Sequence, residues 1–218
     1  MKERAYEIWD RILDFLFPKD ETVVLLEVLA KGGELDLPAS EEEPYAFTTS
    51  LWSYRDRRVR TLVWAIKYRK NRMLTKYVGK LLYENILDEL GDKILFENTR
   101  KVLLVPIPIS NKRLLEKGFN QTEVIASAIK EFDTENVITL SKDILKKHKD
   151  TLPQTKLPRN KRLVNLEGAF NIENPEVVAG KTIILIDDVT TTGSTLREAK
   201  KVLESTGARK VLAFTIAH

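Results

Sequence analysis

The stretch 182–195, with the sequence TIILIDDVTTTGST, constrains the fold more than any other part of the chain. Its four apolar residues at 183–186 precede two carboxylates, and a run of threonine, glycine and serine follows. A short apolar run that ends in such a turn is typical of a strand buried in a parallel sheet. The apolar spacing of the next segment, LREAKKVLESTG, predicts a helix that stops at Gly207. We therefore predict the order strand, turn, helix.

This turn is a candidate anion site, because backbone N–H groups and the positive end of the helix dipole face one point. Asp187 and Asp188, the acid pair, follow the predicted strand, at the sheet edge where ligands bind in open α/β folds. Two acids repel a phosphate, but they suit a ligand with hydroxyl groups or a divalent metal that links acid to phosphate. A ribose 5-phosphate with a metal-bound pyrophosphate meets both needs. The alternative is a buried strand with an N-cap aspartate and a turn that binds nothing.

The length and composition of the chain are consistent with one or two soluble domains. The chain has 218 residues, 43% of them hydrophobic, which is enough for a substantial core. No apolar run has the length of a membrane span, and the first residues lack a signal pattern. The absence of cysteine excludes disulfides and thiolate metal sites, so we expect a cytoplasmic protein. The net charge of +4 favours polyanionic ligands only mildly.

Several linked motifs resemble known families. The stretch 182–195 resembles the phosphoribosyl pyrophosphate (PRPP) binding motif of type I phosphoribosyltransferases. VPIP from Val105, KRLLEKGFNQTEVIA from Lys112 and QTKLPRNKRLVNLEGAF from Gln154 are similar to the ComF family, in order and in spacing. The resemblance implies an α/β fold: a type I phosphoribosyltransferase-like core with a central, mostly parallel sheet flanked by helices, plus a helical N-terminal region. It places this core at residues 45–218, with a basic helical hood at 45–90 and a mobile loop at 146–165.

The N-terminal residues 1–44 depart from the family pattern. Relatives commonly carry a cysteine-rich, zinc-binding module after a helix similar to ILDFLFP, which stands here at residues 12–18. Since this chain has no cysteine, we predict a helical segment in its place and no zinc. Residues 21–30 predict one such helix, which stops at Gly32 and Gly33.

The hood segment is rich in arginine and lysine, and apolar residues at helical spacing predict a helix from about Arg57 and another from Met73 to about Leu90. Three interpretations stay open: a solvated amphipathic helix, a basic wall above an anionic substrate, or a surface that stacks single-stranded nucleic acid. The stacking residues would be Tyr54, Trp64, Tyr68 and Tyr77. The resemblance favours the wall and places Lys67, Tyr68 and Arg69 near the site.

Residues 101–106 predict the first core strand, and residues 137–140 predict another, which Ile144 and Leu145 extend. The resemblance implies a pyrophosphate-binding loop after the first strand, formed by Ser110, Asn111, Lys112 and Arg113. The sequence predicts a helix from Leu114 to Lys130, and Lys112 and Arg113 at its start oppose the helix dipole. They are either ordinary surface side chains of the first turn or, as the unfavourable position favours, contacts for a compensating ligand. We expect the GFNQ sequence at residues 118–121 to break this helix as a substrate-facing turn.

The predicted mobile loop is basic and contains Pro153 and Pro158, which forbid a continuous helix. The resemblance implies that it closes over PRPP and excludes water, with Gln154, Lys156, Arg159 and Arg162 as its functional residues. A basic loop without a ligand and a nucleic-acid clamp are the alternatives.

The resemblance implies magnesium-dependent transfer of phosphoribose from PRPP to a nucleobase or amine. Asp187 and Asp188 would be the catalytic pair and bind ribose hydroxyls, directly or through Mg²⁺. The 5-phosphate would lie in the hydroxyl turn, formed by Thr190, Thr191, Thr192, Gly193, Ser194 and Thr195. One relative class has an aspartate base where this chain has Thr191, so that base is absent. A PRPP sensor without activity, a DNA-uptake accessory that binds single-stranded DNA or the uptake machinery, and a homodimer stay open.

Overall fold

The computed structural model describes residues 21–33, 35–41, 45–96, 102–148 and 168–218, with the backbone alone for residues 92–96. The functional residues predicted in the mobile loop, Gln154, Lys156, Arg159 and Arg162, lie outside the described residues, as does the helix before Pro18.

Helices and strands alternate along most of the described chain. The helices are α1 (Glu21–Gly32), α2 (Arg57–Arg69), α3 (Arg72–Phe96), α4 (Asn111–Lys117), α5 (Gln121–Lys130), α6 (Pro175–Val178) and α7 (Ser194–Ser205). The strands are β1 (Thr48–Trp52), β2 (Val102–Pro106), β3 (Ile138–Leu140), β4 (Leu145–Lys147), β5 (Phe170–Ile172), β6 (Thr182–Val189) and β7 (Lys210–Ala217).

A parallel sheet of five strands, in the order β1-β7-β6-β2-β3, forms the centre of the fold. β6 lies in the middle, where Ile184 is in register with Leu104 of β2 and Leu212 of β7. A strand with neighbours on both sides and helices on both faces is buried and apolar, as residues 183–186 of β6 are. The predicted α/β class with a central parallel sheet flanked by helices is confirmed.

The sheet separates two apolar layers. Alternate residues of β6 point to opposite faces, so Ile184 packs in one layer and Ile183 in the other. The first layer also takes side chains from α1, α2, α3 and α5. The second takes them from α7 and from the antiparallel hairpin β4–β5. Because Val23 and Leu26 of α1 belong to the first layer, α1 shares the core of residues 45–218.

Two helices of the first layer approach each other closely. A Cβ atom built on Gly79 of α3 would lie 2.8 Å from the Cβ of Ala128 in α5, and 2.9 Å from its carbonyl carbon. Such distances leave no room for a side chain at position 79. The glycine therefore permits the contact that sets α3 against α5 and, through α5, against β2 and β6.

Three sequence-based predictions need correction. β6 continues through the acid pair to Val189, because pairing with β7 extends that far, so the carboxylates lie on the strand itself. Ile144 and Leu145 do not extend β3, since Leu145 begins β4 of the separate hairpin. The first residues of the predicted hood form β1, an edge strand of the main sheet, so its helices begin at Arg57.

Candidate functional site

The acid pair lies at the carboxyl edge of the central sheet. Asp187 is in register with Thr215 of β7, and both acidic residues are half-buried. An Asp187 carboxylate oxygen accepts the N–H of Asp188 at 2.9 Å, and an Asp188 oxygen accepts the N–H of Val189 at 2.8 Å. These bonds to the strand's own backbone fix the orientation of both carboxylates.

Lys67 of α2 forms an ion pair with Asp188. Its Nζ lies 2.7 Å from Oδ2 of Asp188, and the two side chains are only 28% and 16% exposed. Burial alone lowers the pKa of Lys67, but the charges of Asp188 and Asp187 outweigh burial and raise it. The structure places Lys67, which the sequence analysis expected near the site, beside the acid pair, and the lysine is charged there.

Asp187 differs from an ordinary surface aspartate. Burial and, to a smaller extent, the charge of Asp188 raise the pKa of Asp187 to about 7. The hydrogen bond from the Asp188 N–H and the charges of Lys67 and Lys147 lower this pKa, but they do not outweigh the first two effects. The carboxyl group is therefore held near the point of half-protonation at neutral pH. A ligand that offers hydroxyl donors or a cation to Asp187 would favour its ionised form.

The hydroxyl turn follows the acid pair directly and opens α7. The N–H of Thr190 donates to the carbonyl of Ala217 at 3.0 Å, and the Thr190 side chain is buried, so this residue joins the turn to β7. Gly193 has φ +64°, a left-handed conformation that side chains rarely adopt. The hydroxyls of Thr192 and Ser194 lie 3.0 Å apart. The start of α7 lies at this edge, where the positive end of the helix dipole favours an anion.

The predicted pyrophosphate residues surround the start of α4. Ser110 is buried and precedes the first turn, without capping it through its side chain. Asn111 and Lys112 are exposed and Arg113 is half-buried, and no residue of α4 is buried. The structure thus leaves Asn111, Lys112 and Arg113 accessible, while Ser110 is buried.

The GFNQ turn has an internal role that the sequence did not predict. The Asn120 amide donates to the Ile107 carbonyl at 3.1 Å, and the Thr122 hydroxyl donates to the same carbonyl at 2.6 Å. Asn120, Gln121 and Thr122 are all buried. These residues hold the loop after β2 in place, so the expectation of a substrate-facing turn is corrected for Asn120.

Lys117 at the end of α4 belongs to the site as well. Burial lowers the pKa of Lys117, as do the charges of Lys67 and Arg113, while Asp188 opposes them. Its Nζ lies 5.7 Å from the centre of the Tyr68 ring on α2. Lys117 therefore connects the predicted pyrophosphate segment to the hood.

The hood presents two aromatic rings one helical turn apart. Trp64 is 43% exposed and Tyr68 is 60% exposed, and their ring centres lie 6.2 Å apart. The Arg69 guanidinium lies 5.2 Å from the Trp64 ring. Tyr54 and Tyr77 instead pack against the core, and the Tyr77 hydroxyl accepts the N–H of Leu35. The prediction that Tyr54 and Tyr77 take part in stacking is therefore wrong.

Sequence reasoning did not find Lys147 and His218. Lys147, on β4, is close enough to Asp187 for its charge to lower that pKa, and the ring of His218 contacts the hydroxyl turn. Lys147 lies at the start of the predicted mobile loop, but its place on β4 beside Asp187 was not foreseen, and His218 lies in no motif. Both residues reach the site through folding of segments that are distant in sequence, which a local pattern does not show.

Metal ligands are few at this site. Within the ranges that the structure describes, no three His, Cys, Asp or Glu side chains come together as a metal site. The acid pair supplies two carboxylates, one of which already contacts Lys67. Among the same residues, no helix is long and apolar enough to cross a membrane.

Comparison with known proteins gives one family model and a set of bacterial relatives. Residues 118–218 match the model of the phosphoribosyl transferase domain, and this range includes the acid pair and the hydroxyl turn.

The relatives include proteins named for competence and DNA utilization. The chain is 26% identical over 158 residues to competence protein F of Haemophilus influenzae, covering 72% of this chain and 66% of that protein. It is 27% identical over 176 residues to competence protein ComFC of Bacillus subtilis, covering 71% and 69%. It is 26% identical over 162 residues to DNA utilization protein YhgH of Escherichia coli, covering 69% and 63%. The chain thus spans about two thirds of the length of these relatives.

Among solved structures, a hypoxanthine phosphoribosyltransferase from Staphylococcus aureus is 15% identical, with a TM-score of 0.37 and coverage of 65% of this chain and 61% of that one. The glutamine PRPP amidotransferase of B. subtilis is 17% identical, with a TM-score of 0.39 and coverage of 65% and 26%. A likeness at this level does not bear on activity.

Proposed function

The chain belongs to the ComF family, and from that membership we propose that it binds PRPP at the carboxyl end of β6 and transfers its phosphoribosyl group to an acceptor. One observation carries the proposal: the acid pair ends β6 directly before the turn that opens α7. Carboxylates accept ribose hydroxyls, and the helix start with its hydroxyl side chains receives the 5-phosphate.

The cations near this edge support a ligand with more charge than a single phosphate. Lys112 is exposed, Arg113 is half-buried, and Lys117 lies beside Lys67 and Tyr68. These groups are suited to a pyrophosphate, because a compact polyanion is stabilised by several positive charges at once. A site for a lone sugar would not need them.

In the proposed reaction, the bond between the anomeric carbon and the pyrophosphate oxygen breaks, and its electron pair leaves with pyrophosphate. A lone pair of the acceptor forms the new bond at the anomeric carbon. Positive charge develops on the ribose ring and negative charge on the leaving group. Asp187 and Asp188 would stabilise the first, while Lys112 and Arg113 would stabilise the second, so the protein acts by position and charge.

Magnesium is the metal that this donor set fits. It binds through one or two carboxylates together with substrate phosphates and needs no cage of protein ligands. Asp187 and Asp188 would hold it jointly with the pyrophosphate, directly or through water. When bound, the ion would neutralise part of the pyrophosphate charge. We expect no zinc, and this stays a prediction.

Titration calorimetry with PRPP and Mg²⁺ tests the binding proposal. We expect wild type to bind, and Asp187→Asn together with Asp188→Asn to weaken binding at least about tenfold, since lost bonds to charged acceptors are worth about 1.5–3 kcal/mol each. Glu204→Gln, at the far end of α7 from the turn, is the matched control. Absence of wild-type binding, or equal binding by the double variant, would contradict the proposal.

Release of pyrophosphate distinguishes an enzyme from a sensor that only binds PRPP. We expect pyrophosphate release from PRPP when a panel of nucleobases and amines is supplied, and none when Asp187 and Asp188 are both replaced. Tight PRPP binding without release for any acceptor would instead favour a sensor of nucleotide supply.

The exposed rings of the hood favour a second candidate function, binding of single-stranded DNA. Trp64 and Tyr68 are solvent-accessible, and Arg69 lies over the Trp64 ring, a combination that stacks bases without reading their sequence. The names of the competence and DNA utilization relatives agree with a role in DNA uptake. The Tyr68 ring also lies beside Lys117, so a strand stacked on these rings would pass next to the proposed PRPP site.

Fluorescence anisotropy with a labelled oligothymidine tests it. We expect Trp64→Ala and Tyr68→Ala each to weaken binding by about 1–3 kcal/mol, the usual loss for one stacked base. Tyr54→Phe, on a tyrosine that packs against the core, is the control. Affinity that does not fall with added salt, or that survives both substitutions, argues against a DNA surface.

A further inference from the structure

The ring of His218 contacts the hydroxyl turn. Its Nε2 atom lies 3.0 Å from the carbonyl oxygen of Thr191. A carbonyl oxygen only accepts hydrogen bonds, so the ring nitrogen is the donor. His218 therefore supports the turn at this carbonyl from outside the turn's own sequence.

The backbone holds His218 firmly in place. Its N–H donates to the Trp52 carbonyl of β1 at 3.1 Å, and its own carbonyl accepts the N–H of Tyr54 at 2.7 Å. The preceding residue, Ala217, accepts the N–H of Thr190 at 3.0 Å. Position 218 is thus fixed between the edge strand that leads to the hood and the turn, and the ring's reach to Thr191 follows from that anchoring.

The contact with Thr191 has a consequence for the next amide. In a planar trans peptide, the carbonyl of one residue and the N–H of the next point in opposite directions, and the described peptide bonds are trans. A hydrogen bond from His218 to the Thr191 carbonyl therefore turns the N–H of Thr192 away from the imidazole. This amide lies between the exposed Thr191 and the start of α7, among the groups that would surround a phosphate.

We propose that His218 is a positioning residue for the 5-phosphate of PRPP: it holds the peptide between Thr191 and Thr192 so that the Thr192 N–H is aimed at the phosphate before the ligand arrives. This role rests on the proposed function of the hydroxyl turn. Its energetic basis is preorganisation, since a donor that is already oriented need not be ordered during binding. The ring itself does not touch the ligand.

The test uses two probes, each of which represents one part of PRPP. Ribose 5-phosphate carries the phosphate and hydroxyls that meet the turn and the acid pair, whereas pyrophosphate with Mg²⁺ carries the part expected near α4. Three forms of the full chain are compared by titration calorimetry: wild type, His218→Phe and His218→Gln. Phenylalanine keeps an aromatic ring but no donor, and glutamine places an N–H close to where Nε2 lies. Thermal melting of each variant reports on folding.

We expect His218→Phe to weaken ribose 5-phosphate binding about fivefold, the effect of one hydrogen bond, and His218→Gln to stay within about twofold of wild type. Pyrophosphate affinity should be the same in all three. Equal ribose 5-phosphate affinity in His218→Phe and wild type would overturn the role of His218 alone. So would a loss in His218→Gln as large as in His218→Phe, or a matching loss of pyrophosphate affinity. If wild type bound neither probe, the proposed function itself would fail.

Discussion

At the scale of single residues, the site places two carboxylates next to each other, which is electrostatically unfavourable. Asp187 and Asp188 are neighbours on one strand, and the edge of the sheet removes part of their water. Lys67 offsets this through its ion pair with Asp188, but the pKa of Asp187 still lies at about 7. Functional groups are frequently found in such environments, where a bound ligand reduces a charge repulsion that the rest of the protein leaves in place.

The first prediction concerns Asp187→Asn and pH. The folded-state pKa of about 7 is raised above the ordinary value of 3.8, so the neutral carboxyl is favoured by folding. Its contribution to stability is full below the unfolded pKa and is lost as pH rises through the folded pKa. Asparagine stays neutral and keeps an oxygen to accept the Asp188 N–H. We therefore expect the variant to gain about 2 kcal/mol in free energy of unfolding over wild type between about pH 5 and about pH 8.5.

Urea denaturation at both pH values measures that gain. Asp143→Asn is the control, because Asp143 is an exposed carboxylate whose pKa is lowered by Lys146. A difference between Asp187→Asn and wild type that is the same at both pH values would show that Asp187 has an ordinary pKa.

The second prediction concerns coupling between Lys67 and Asp188. Both side chains are mostly buried, and their charged atoms lie 2.7 Å apart. Replacing either residue therefore leaves the other as an unpaired, partly buried charge, which destabilises the fold. A double-mutant cycle with Lys67→Met and Asp188→Asn should give a coupling energy of about 1–2 kcal/mol in free energy of unfolding.

The matched pair is Lys80 and Glu84 on α3, whose side chains are 56% and 52% exposed. For this pair the same cycle should give at most about 0.5 kcal/mol, as is usual for exposed pairs one helical turn apart. Equal coupling in the two cycles would mean that the partial burial of Lys67 and Asp188 has no energetic effect.

At the scale of secondary-structure elements, sequence patterns predicted the strands, turns and helices whose formation depends on neighbouring residues in the chain. β6, the hydroxyl turn and α7 follow one another in the chain, so an apolar run, a hydroxyl-rich turn and helical spacing were enough to find them. β1 was missed because TTSLW is short and lies beside a strongly basic segment that dominates its surroundings. The extension of β6 through two acids was missed because pairing with β7, and not propensity, decides where the strand ends.

The third prediction concerns the contact between α3 and α5. Gly79→Ala adds a methyl group where the Cβ of Ala128 is 2.8 Å away, so either helix must move. We expect a loss of about 1–3 kcal/mol in free energy of unfolding from overpacking, although alanine favours a helix by up to about 1 kcal/mol.

Gly32→Ala in α1 is the control, because a Cβ there meets nothing within 4 Å and should not destabilise the protein. Ala128→Gly in the background of Gly79→Ala should restore only part of the loss, since the carbonyl carbon of residue 128 also lies too close, at 2.9 Å. A fully stable Gly79→Ala variant would show that the two helices separate without cost.

At the scale of the whole molecule, the site is assembled from segments that are distant in sequence. Lys67 comes from α2, Lys117 from α4, the acid pair from β6, and His218 follows β7. The parallel sheet brings their ends to one edge. The resemblance to a family placed Lys67 near the site, but neither the mobile-loop prediction nor any motif indicated where Lys147 and His218 would lie. Contacts of this kind depend on strand order, which no local pattern records.

The fourth prediction follows from that assembly. A ligand that contacts α2, β6 and the start of α7 stabilises the fold as a unit, because unfolding any of them releases it. At a PRPP concentration of about 100 times the dissociation constant, with Mg²⁺ present, linkage gives about 2.7 kcal/mol. For a chain of this size that corresponds to a rise in Tm of roughly 5–10 °C.

Differential scanning fluorimetry with increasing PRPP measures this rise. Mg²⁺ alone should shift Tm far less, because the acid pair without the pyrophosphate offers only two carboxylates, and Lys67 already pairs with one of them. The variant with both Asp187→Asn and Asp188→Asn should lose most of the PRPP shift, whereas Glu204→Gln should keep it. An equal shift in both variants would place the ligand away from the acid pair, and hence away from the sheet edge on which the whole site is built.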